Sequence, residues 1–560
     1  MKFKTVNKIT ATGIAASLIM INGGCGGNNS SNISDNNPDN NLKKYNVMLI
    51  LTDQEHYFSE YPKGSNYEAR KLLAELGATF EKHYICSNMS TSSRSTIFTG
   101  HHVPDTGMTD NTDFPWQKTM SDSLRTIGDI MMEAGYYSAL KGKWHLGGTA
   151  DITGKTMATI TSLDVYGFYD WGGTDYIGAL HQGNEIDPLI ASQAVEWLAS
   201  KGKNLNSDGK PFFLMLTMIN PHDIMDYDIT GYESPSLHLG GKPDNEIYDV
   251  AYDNAIPSTY NFNLTAEDLP EGIKLYYNNW SILTGSFDVK ATTETDMTIN
   301  DLWKDYQDYY FNCIQDNDNN LMNVINALID NEMLNDTIII FTADHGEMHG
   351  SHGLKGKGGF VYENNVHVPM IIVHPDFKGG KKISAVTSHI DIAATLADIA
   401  GLTSENLPGK SLLPLLNGSK KSVRDCALFC YEMLSMSAPC VVSDDKVTYD
   451  FKNMGRGMMR SIITEDGYKF ARYFSPREFN TPKTFEELFA SNDVQLFDTN
   501  EDPKELNNLA SPENRVANCE LIMKLNEVMN NMIEKEIITT GGEHVLQPLK
   551  EYLNTLQNNQ

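Results

Sequence analysis

Residues 46–54 read NVMLILTDQ: five consecutive apolar side chains, a threonine, then an acid and an amide. A short run that is apolar at both alternations suits a strand buried on both faces of a parallel sheet. The same pattern returns at 337–345 as TIIIFTADH and at 211–222 as PFFLMLTMINPH, and 368–373 adds the apolar run VPMIIV. Between them, LMNVINALI places Leu321, Val324, Ile325, Leu328 and Ile329 at 0, +3, +4, +7 and +8, the spacing of a helix with one buried face. Strands alternating with helical periods predict an α/β fold, a mainly parallel central sheet flanked by helices. Ligands of such sheets bind beyond the carboxyl ends of the strands. Asp53-Gln54, Asp344-His345 and His222 are therefore expected along one edge. Two carboxylates, an amide oxygen and an imidazole suit a hard or borderline divalent cation. Either acidic dipeptide alone reads as a helix cap or turn; the segments below decide between the two.

Length and charge narrow the field. A chain of 560 residues that is 40% hydrophobic can bury a large core and hold more than one domain. Its formal net charge of −29 excludes a phosphate-backbone binder, so no nucleic-acid partner is expected. An anionic substrate must then meet a local basic pocket in an acidic surface. At the N-terminus, Lys2, Lys4 and Lys8 precede the apolar run ITATGIAASLIMI and then NGGC. This reads as a secretory leader, too short for a membrane span. Small residues directly before Cys25 resemble a lipoprotein signal. Residues 1–24 are then the leader, Cys25 the lipidated anchor, and the Gly/Ser/Asn/Asp-rich stretch 25–44 a tether with nothing to bury. Simple secretion is the alternative. The six later cysteines, Cys86, Cys313, Cys426, Cys430, Cys440 and Cys519, match no zinc spacing and are given no catalytic role.

The stretch STSSRSTIFTG, 90–100, sets seven hydroxyls around one arginine and ends on glycine. A helix beginning near Ser92 would bring Arg94 close to Ser90, and Gly100 would stop it. Free N–H groups and a positive dipole at its start favour an anion at residue 90. Taken alone, the stretch reads equally well as a capped Ser/Thr-rich helix.

With this segment the chain resembles the sulfatase family of the alkaline phosphatase superfamily. Ser90, Ser92, Arg94, Thr99 and Gly100 fall on its nucleophile motif. GKWHLG (142–147), NPHD (220–223), TADHGEMHGSHGLKGKG (342–358), YENNVHVPMIIV (362–373), HIDIAATLADIAGL (389–402) and LFDTNEDPKELNNLA (496–510) follow in family order. The resemblance implies an alkaline-phosphatase-like catalytic domain over 45–420, interrupted by an aromatic, polar insertion at 224–300, and a smaller C-terminal α+β subdomain over 421–560 with an antiparallel sheet and a packed helix. It implies a sulfuric ester hydrolase acting on sulfated carbohydrates or other sulfate esters. Ser90 would be the precursor of formylglycine, made by a maturase, whose hydrate is the nucleophile. Asp53, Gln54, Ser90, Asp344 and His345 would hold one divalent cation, Ca2+ by family habit, with Mn2+ and Mg2+ as alternatives. Arg94, Lys143 and His145 would hold the diol and assist regeneration of the aldehyde; His222 and Lys357 would bind the sulfate and leaving-group oxygens.

The physical demand agrees with this set. A sulfate ester is an anionic, poor electrophile, so attack needs an activated oxygen and fixed cations in a water-poor cleft. A histidine titrating near neutrality can serve the departing alkoxide. His349 and His352 are candidates for supporting the metal site or the fold, and Tyr362, Glu363 and Pro369 for the sheet edge. Arg456, Arg460 and Arg472 read equally as substrate contacts or surface charges. Ser92 stands where the family has Pro or Ala, and Gln54 where a second Asp is commoner. The Gln54–His345 combination also resembles phosphonate monoester and phosphodiester hydrolases of the superfamily, the second reading. A lipoprotein binding sulfated glycans without cleaving them is the third. An exported, membrane-anchored protein of the periplasm or cell surface is expected.

Overall fold

The computed structural model describes residues 44–147, 162–172, 175–443, 446–539 and 541–558. The leader, Cys25 and the tether lie outside the described residues, and no described helix is long and apolar enough to cross a membrane. Seven strands form the main sheet: β1 (Asn46–Thr52), β2 (Ala78–Tyr84), β3 (Tyr137–Gly142), β4 (Phe212–Thr217), β5 (Thr337–Ala343), β6 (Met370–Val373) and β7 (Lys381–Ser388). Their order is β3-β4-β1-β5-β6-β2-β7. All neighbours run parallel except β6, which is antiparallel to both β5 and β2. The VPMIIV run is therefore a reversed strand inside a mainly parallel sheet. Apolarity on both faces marks burial, and does not mark direction.

Period-two alternation divides β1 between two cores. Val47, Leu49 and Leu51 pack with Phe213, Met215, Ile338 and Ile340 on one side; Met48 and Ile50 pack with Leu214, Leu216, Ile339 and Phe341 on the other. Each such fully buried side chain contributes about 1.5–3 kcal/mol. Helix Ile299–Asp330 covers the second face through Leu321, Val324, Ile325 and Leu328. Ile329, expected on the same stripe, is 43% exposed. At +8 it lies about 80° around the helix from the first apolar residue, off the edge of the buried face.

Helix Ser90–Thr99 starts two residues earlier than its composition suggested, with Met89 as its cap at φ 72°, and contributes Ile97 and Phe98 to the first core. Gly100 ends it in the left-handed conformation, its N–H returning to the Thr96 carbonyl. From residue 222 onward the chain runs in short turns whose Tyr227, Tyr248 and Tyr252 pack on Tyr306, Tyr309 and Tyr310, and then forms helices Glu271–Thr284 and Val289–Thr295. Near the C-terminus, β8 (Cys426–Tyr431), the hairpin β9 (Cys440–Ser443) and β10 (Lys446–Tyr449), and β11 (Met458–Thr464), β12 (Tyr468–Phe474) and β13 (Asp493–Asp498) follow. β13-β12-β11-β8 make an antiparallel sheet, covered on one face by helix Cys519–Glu536 through Ile522, Leu525 and Met529. The Cys430 amide donates to the Cys86 carbonyl at 2.8 Å, tying β8 to the end of β2. All six described cysteines are free thiols.

Candidate active site

Strand register builds the site. Thr52 lies opposite Ala343, and Gly142 opposite Thr217, so the next residues along, Asp53, Asp344 and Lys143, emerge at one sheet edge. His222 follows β4 in a short turn. Gly142 has φ 103°, and a Cβ there would sit 1.9 Å from the Thr217 carbonyl oxygen. Only glycine lets β3 approach β4 closely enough to aim Lys143 inward. Gln54 (φ 71°), Met89 (φ 72°) and His145 (φ 57°) hold left-handed backbone without being glycine. Such conformations cost about 1–3 kcal/mol each and gather at functional sites.

The side chains converge on Ser90. Its Oγ lies 3.0 Å from His345 Nε2, 3.1 Å from Lys357 Nζ and 3.4 Å from Asp53 Oδ1. Arg94 bridges the two acids, donating from Nη2 to Asp53 Oδ2 at 2.9 Å and from Nε to Asp344 Oδ2 at 3.0 Å. Lys143 Nζ approaches Asp53 Oδ2 at 2.7 Å. All of these groups are buried. Burial works to raise the Asp53 carboxyl, but Lys143, His222, Lys357 and Arg94 together hold it well below the ordinary range. Asp344, pushed up to about 7 by burial and by the neighbouring Asp53 charge, shares that field. Burial also lowers Lys357 to about 8. His345 and His222 fall well below the usual imidazole value through burial and the nearby Lys357 charge, so both are neutral.

These residues fit a divalent cation. Asp53, Asp344 and His345 offer ligand atoms that lie within 4.8 Å of one another. His345 Nδ1 is 3.1 Å from the Gly346 carbonyl, which fixes the proton on Nδ1 and leaves Nε2 its lone pair. Gln54 Nε2 donates to Glu347 at 2.6 Å, while Gln54 Oε1 is buried without a partner among the described residues. A buried amide oxygen costs about 1–3 kcal/mol unless something positive meets it.

Of the residues singled out in the sequence, Asp53, Ser90, Arg94, Lys143, Asp344, His345 and Lys357 share direct contacts. His222 lies within the same electrostatic field, its Nδ1 unpartnered among the described residues. His145 stands differently: its carbonyl accepts from the Thr91 hydroxyl at 2.9 Å, and its ring Nε2 lies 3.7 Å from the Asp113 carboxylate. His349 packs against His56 and Tyr310, and His352 stacks on Tyr362 at 3.8 Å. Ser92, also buried, donates its hydroxyl to the Thr109 carbonyl. Arg460 and Arg472 are buried, paired with Glu432 and with Asn526 and Asn530 respectively, which removes the surface-charge reading for both. Sequence reasoning passed over Glu347, which orients Gln54 and accepts from Tyr306, His349 and Gly356. Its place two residues after His345 was the available signal. Asp113 was missed too, and carries no local motif.

A sheet edge carrying two acids, neutral imidazoles and three cations around one hydroxyl defines a hydrolase of anionic esters. The family model described as Sulfatase matches residues 45–402, and the chain belongs to the sulfatase family, enzymes that hydrolyse sulfate esters. An N-acetylglucosamine-6-O-sulfatase of Bacteroides thetaiotaomicron is 26% identical over 423 residues, 68% of this chain and 73% of that one. Among solved structures, a 2-O GAG sulfatase superposes with TM-score 0.63 at 17% identity, over 88% of this chain and 92% of that one. The phosphonate monoester hydrolase of Agrobacterium radiobacter superposes with TM-score 0.62 at 19% identity, over 88% and 96%. The shared architecture is alkaline-phosphatase-like.

Proposed function

We propose that this chain is an exported sulfatase of sulfated carbohydrates, that Ser90 is converted by a maturase to formylglycine, and that Asp53, Gln54, Ser90, Asp344 and His345 hold one divalent cation, Ca2+ ahead of Mn2+ or Mg2+. The observation that carries the reading is the Ser90 hydroxyl lying within hydrogen-bond reach of both His345 and Lys357, with Asp53 beside it. When present, the cation polarises an anionic oxygen and the formylglycine hydrate supplies a second hydroxyl through which sulfate can leave. The chain's own residues do the rest. Arg94 locks Asp53 and Asp344 in place, and Lys143 with Lys357 raises the positive potential where sulfuryl charge accumulates. Neutral His222 offers a ring nitrogen to the leaving oxygen. His145, with the Asp113 carboxylate against Nε2, takes or returns a proton at Nδ1.

The N-acetylglucosamine-6-O-sulfatase relative supports a sugar ester. We place the catalytic domain at 45–420 with an insertion at 224–300, the second subdomain at 421–560, a leader at 1–24, and a lipid on Cys25 that would anchor the tether at the periplasmic or outer surface.

The test is sulfate release by the full chain co-expressed with the maturase, alongside mass spectrometry of the Ser90 peptide. Formylglycine makes that peptide lighter by two hydrogens. Turnover of 4-nitrophenyl sulfate is expected; unmodified serine with no turnover would turn the reading to a glycan-binding lipoprotein. The neutral Gln54 beside His345 favours a phosphonate or phosphodiester hydrolase as the second reading. A strong preference for 4-nitrophenyl phenylphosphonate over the sulfate would establish it instead.

A further inference from the structure

A cavity of about 460 Å³ opens beside the cationic end of the site. Its walls are tied to the catalytic groups through neighbouring residues. Met89, which lines it, precedes Ser90; Asp113 touches the His145 ring; Met225 belongs to the turn that carries His222. Trp280, on the same wall, stacks on Tyr276, whose hydroxyl accepts from the Lys357 amide. This is the neighbouring space into which an ester with its sulfuryl group at Ser90 would send its alcohol portion.

The walls are aromatic and carry almost no charge. Phe114 stacks on Trp116 with centroids 5.0 Å apart, and Tyr449 and Phe451 stand edge-on to the same indole at 5.9 and 5.1 Å. Tyr449 and Phe451 come from β10 and the turn after it, so the hairpin serves as one wall. Among the described residues lining the cavity there is no lysine or arginine, and the one charged side chain is the acidic Asp113. The contrast with the sulfuryl end, where Arg94, Lys143 and Lys357 crowd together, is sharp. A second sulfate or a carboxylate here would lose its hydration, find no cation and face a carboxylate. A ring with one apolar face would instead cover the exposed aromatic surface.

We propose that this cavity is the leaving-group subsite, and that it takes an uncharged ring presenting a flat apolar face, with no second anionic substituent. This deepens the sulfatase reading and rests on it for the orientation of the ester. The ring has two sources, a neutral sugar or an aromatic alcohol, and the experiment distinguishes them.

The experiment compares N-acetylglucosamine 6-sulfate with glucosamine 2-N,6-O-disulfate on the maturase-treated full chain, scoring kcat/KM by sulfate release. The monosulfated ester is expected to lead by at least about tenfold. Phe114→Ala should raise KM for it roughly tenfold more than it lowers kcat, as loss of a stacking face predicts. Leu237→Lys, which puts a cation on the cavity wall, should shift the ratio toward the disulfated ester by about threefold or more. Competitive inhibition by N-acetylglucosamine or by 2-naphthol then tells which alcohol the cavity prefers; either order supports an uncharged ring. A wild-type preference for the disulfated ester, or a Phe114→Ala enzyme indifferent in KM, overturns the proposal while the sulfatase reading stands. Should no sulfate ester be turned over, the sulfatase reading fails separately. Tryptophan fluorescence of the Ser90→Ala protein titrated with the two glucosamine esters then still decides the subsite: tighter binding of the monosulfated one supports it, tighter binding of the disulfated one overturns it.

Discussion

The sheet edge around Asp53 and the C-terminal antiparallel sheet both bury ionised side chains, yet they differ in how those charges are matched. In the C-terminal region Glu432 receives both Arg460 and His544, and Lys469 lies between Glu505 and Glu363. Burial would raise the Glu432 carboxyl, but the Arg460 and His544 charges hold it down at about 2. At the sheet edge, three cations face two carboxylates, Asp344 is raised to about 7, and Gln54 Oε1 and His222 Nδ1 have no partner among the described residues. Left-handed backbone at Gln54, Met89 and His145 adds strain there. Buried charge thus serves stability where every carboxylate meets a cation and the hydrogen bonds are closed, and suits chemistry where polar atoms are left open to a substrate.

The largest effect expected from breaking this comparison is at Ser90. Ser90→Ala should lower kcat by about 10⁴-fold or more while moving the melting temperature little, because one hydroxyl leaves the surrounding ion pairs intact. Sulfate release and thermal melting of the same preparation read both. Turnover within tenfold of wild type would remove Ser90 from the reaction. Next is Asp344→Asn, expected to cost on the order of 10³-fold in kcat. A chelator should lower the melting temperature of the wild type, since a ligand held only by the folded state stabilises it. The variant should melt at the same temperature with and without chelator. An equal chelator response in both proteins would place the cation elsewhere.

Glu432→Gln probes the matched side. It strands Arg460 in a dry environment, and a loss of roughly 3–5 kcal/mol in unfolding free energy is expected, with kcat on 4-nitrophenyl sulfate intact. The pH dependence follows from a folded-state carboxyl depressed to about 2 against an ordinary 4.5. Stability from this group is full above pH 4.5 and is lost as pH falls through about 2, a total of about 3 kcal/mol. Denaturant melts between pH 5 and 2 should therefore converge for wild type and variant as the pH drops. Parallel curves would deny Glu432 its depressed value.

How much of this was legible in the sequence follows the range of the forces involved. Strands β1, β4 and β5 and the convergence of Asp53, Asp344 and His345 could be read because a doubly buried strand leaves an unbroken apolar run with a polar stop directly after it. The reversed direction of β6 could not, since Met370 to Val373 are buried alike in either sense. Ser90 was singled out by its place in the family motif, while the start of its helix at Ser90 depends on a positive-φ Met89 that no composition announces. Glu347 and Asp113 escaped because their roles exist only across the fold: Glu347 meets Gln54, 293 positions away in the chain, and Asp113 meets His145 across a loop. The aromatic cavity escaped for the same reason, its aromatic side chains alone coming from four separate segments.

The smallest expected effect sharpens the comparison by supplying a pair that is neither catalytic nor dry. Arg456 reaches Asp493 at 2.7 Å, a shorter contact than either of Arg94's bonds, and both partners are a little over one quarter exposed. If separation alone set the value of an ion pair, this one would rival those at the sheet edge. Water at the pair raises the effective dielectric and keeps each charge solvated when its partner is removed, so little is lost. Arg456→Ala should change unfolding free energy by less than about 1 kcal/mol, with most of that change gone in high salt. It should also leave kcat/KM on 4-nitrophenyl sulfate within about twofold, because Arg456 is spent on Asp493 and the Ala490 carbonyl rather than on the cavity. A salt-independent loss as large as that of Glu432→Gln would show that burial does not separate structural from incidental pairs in this chain.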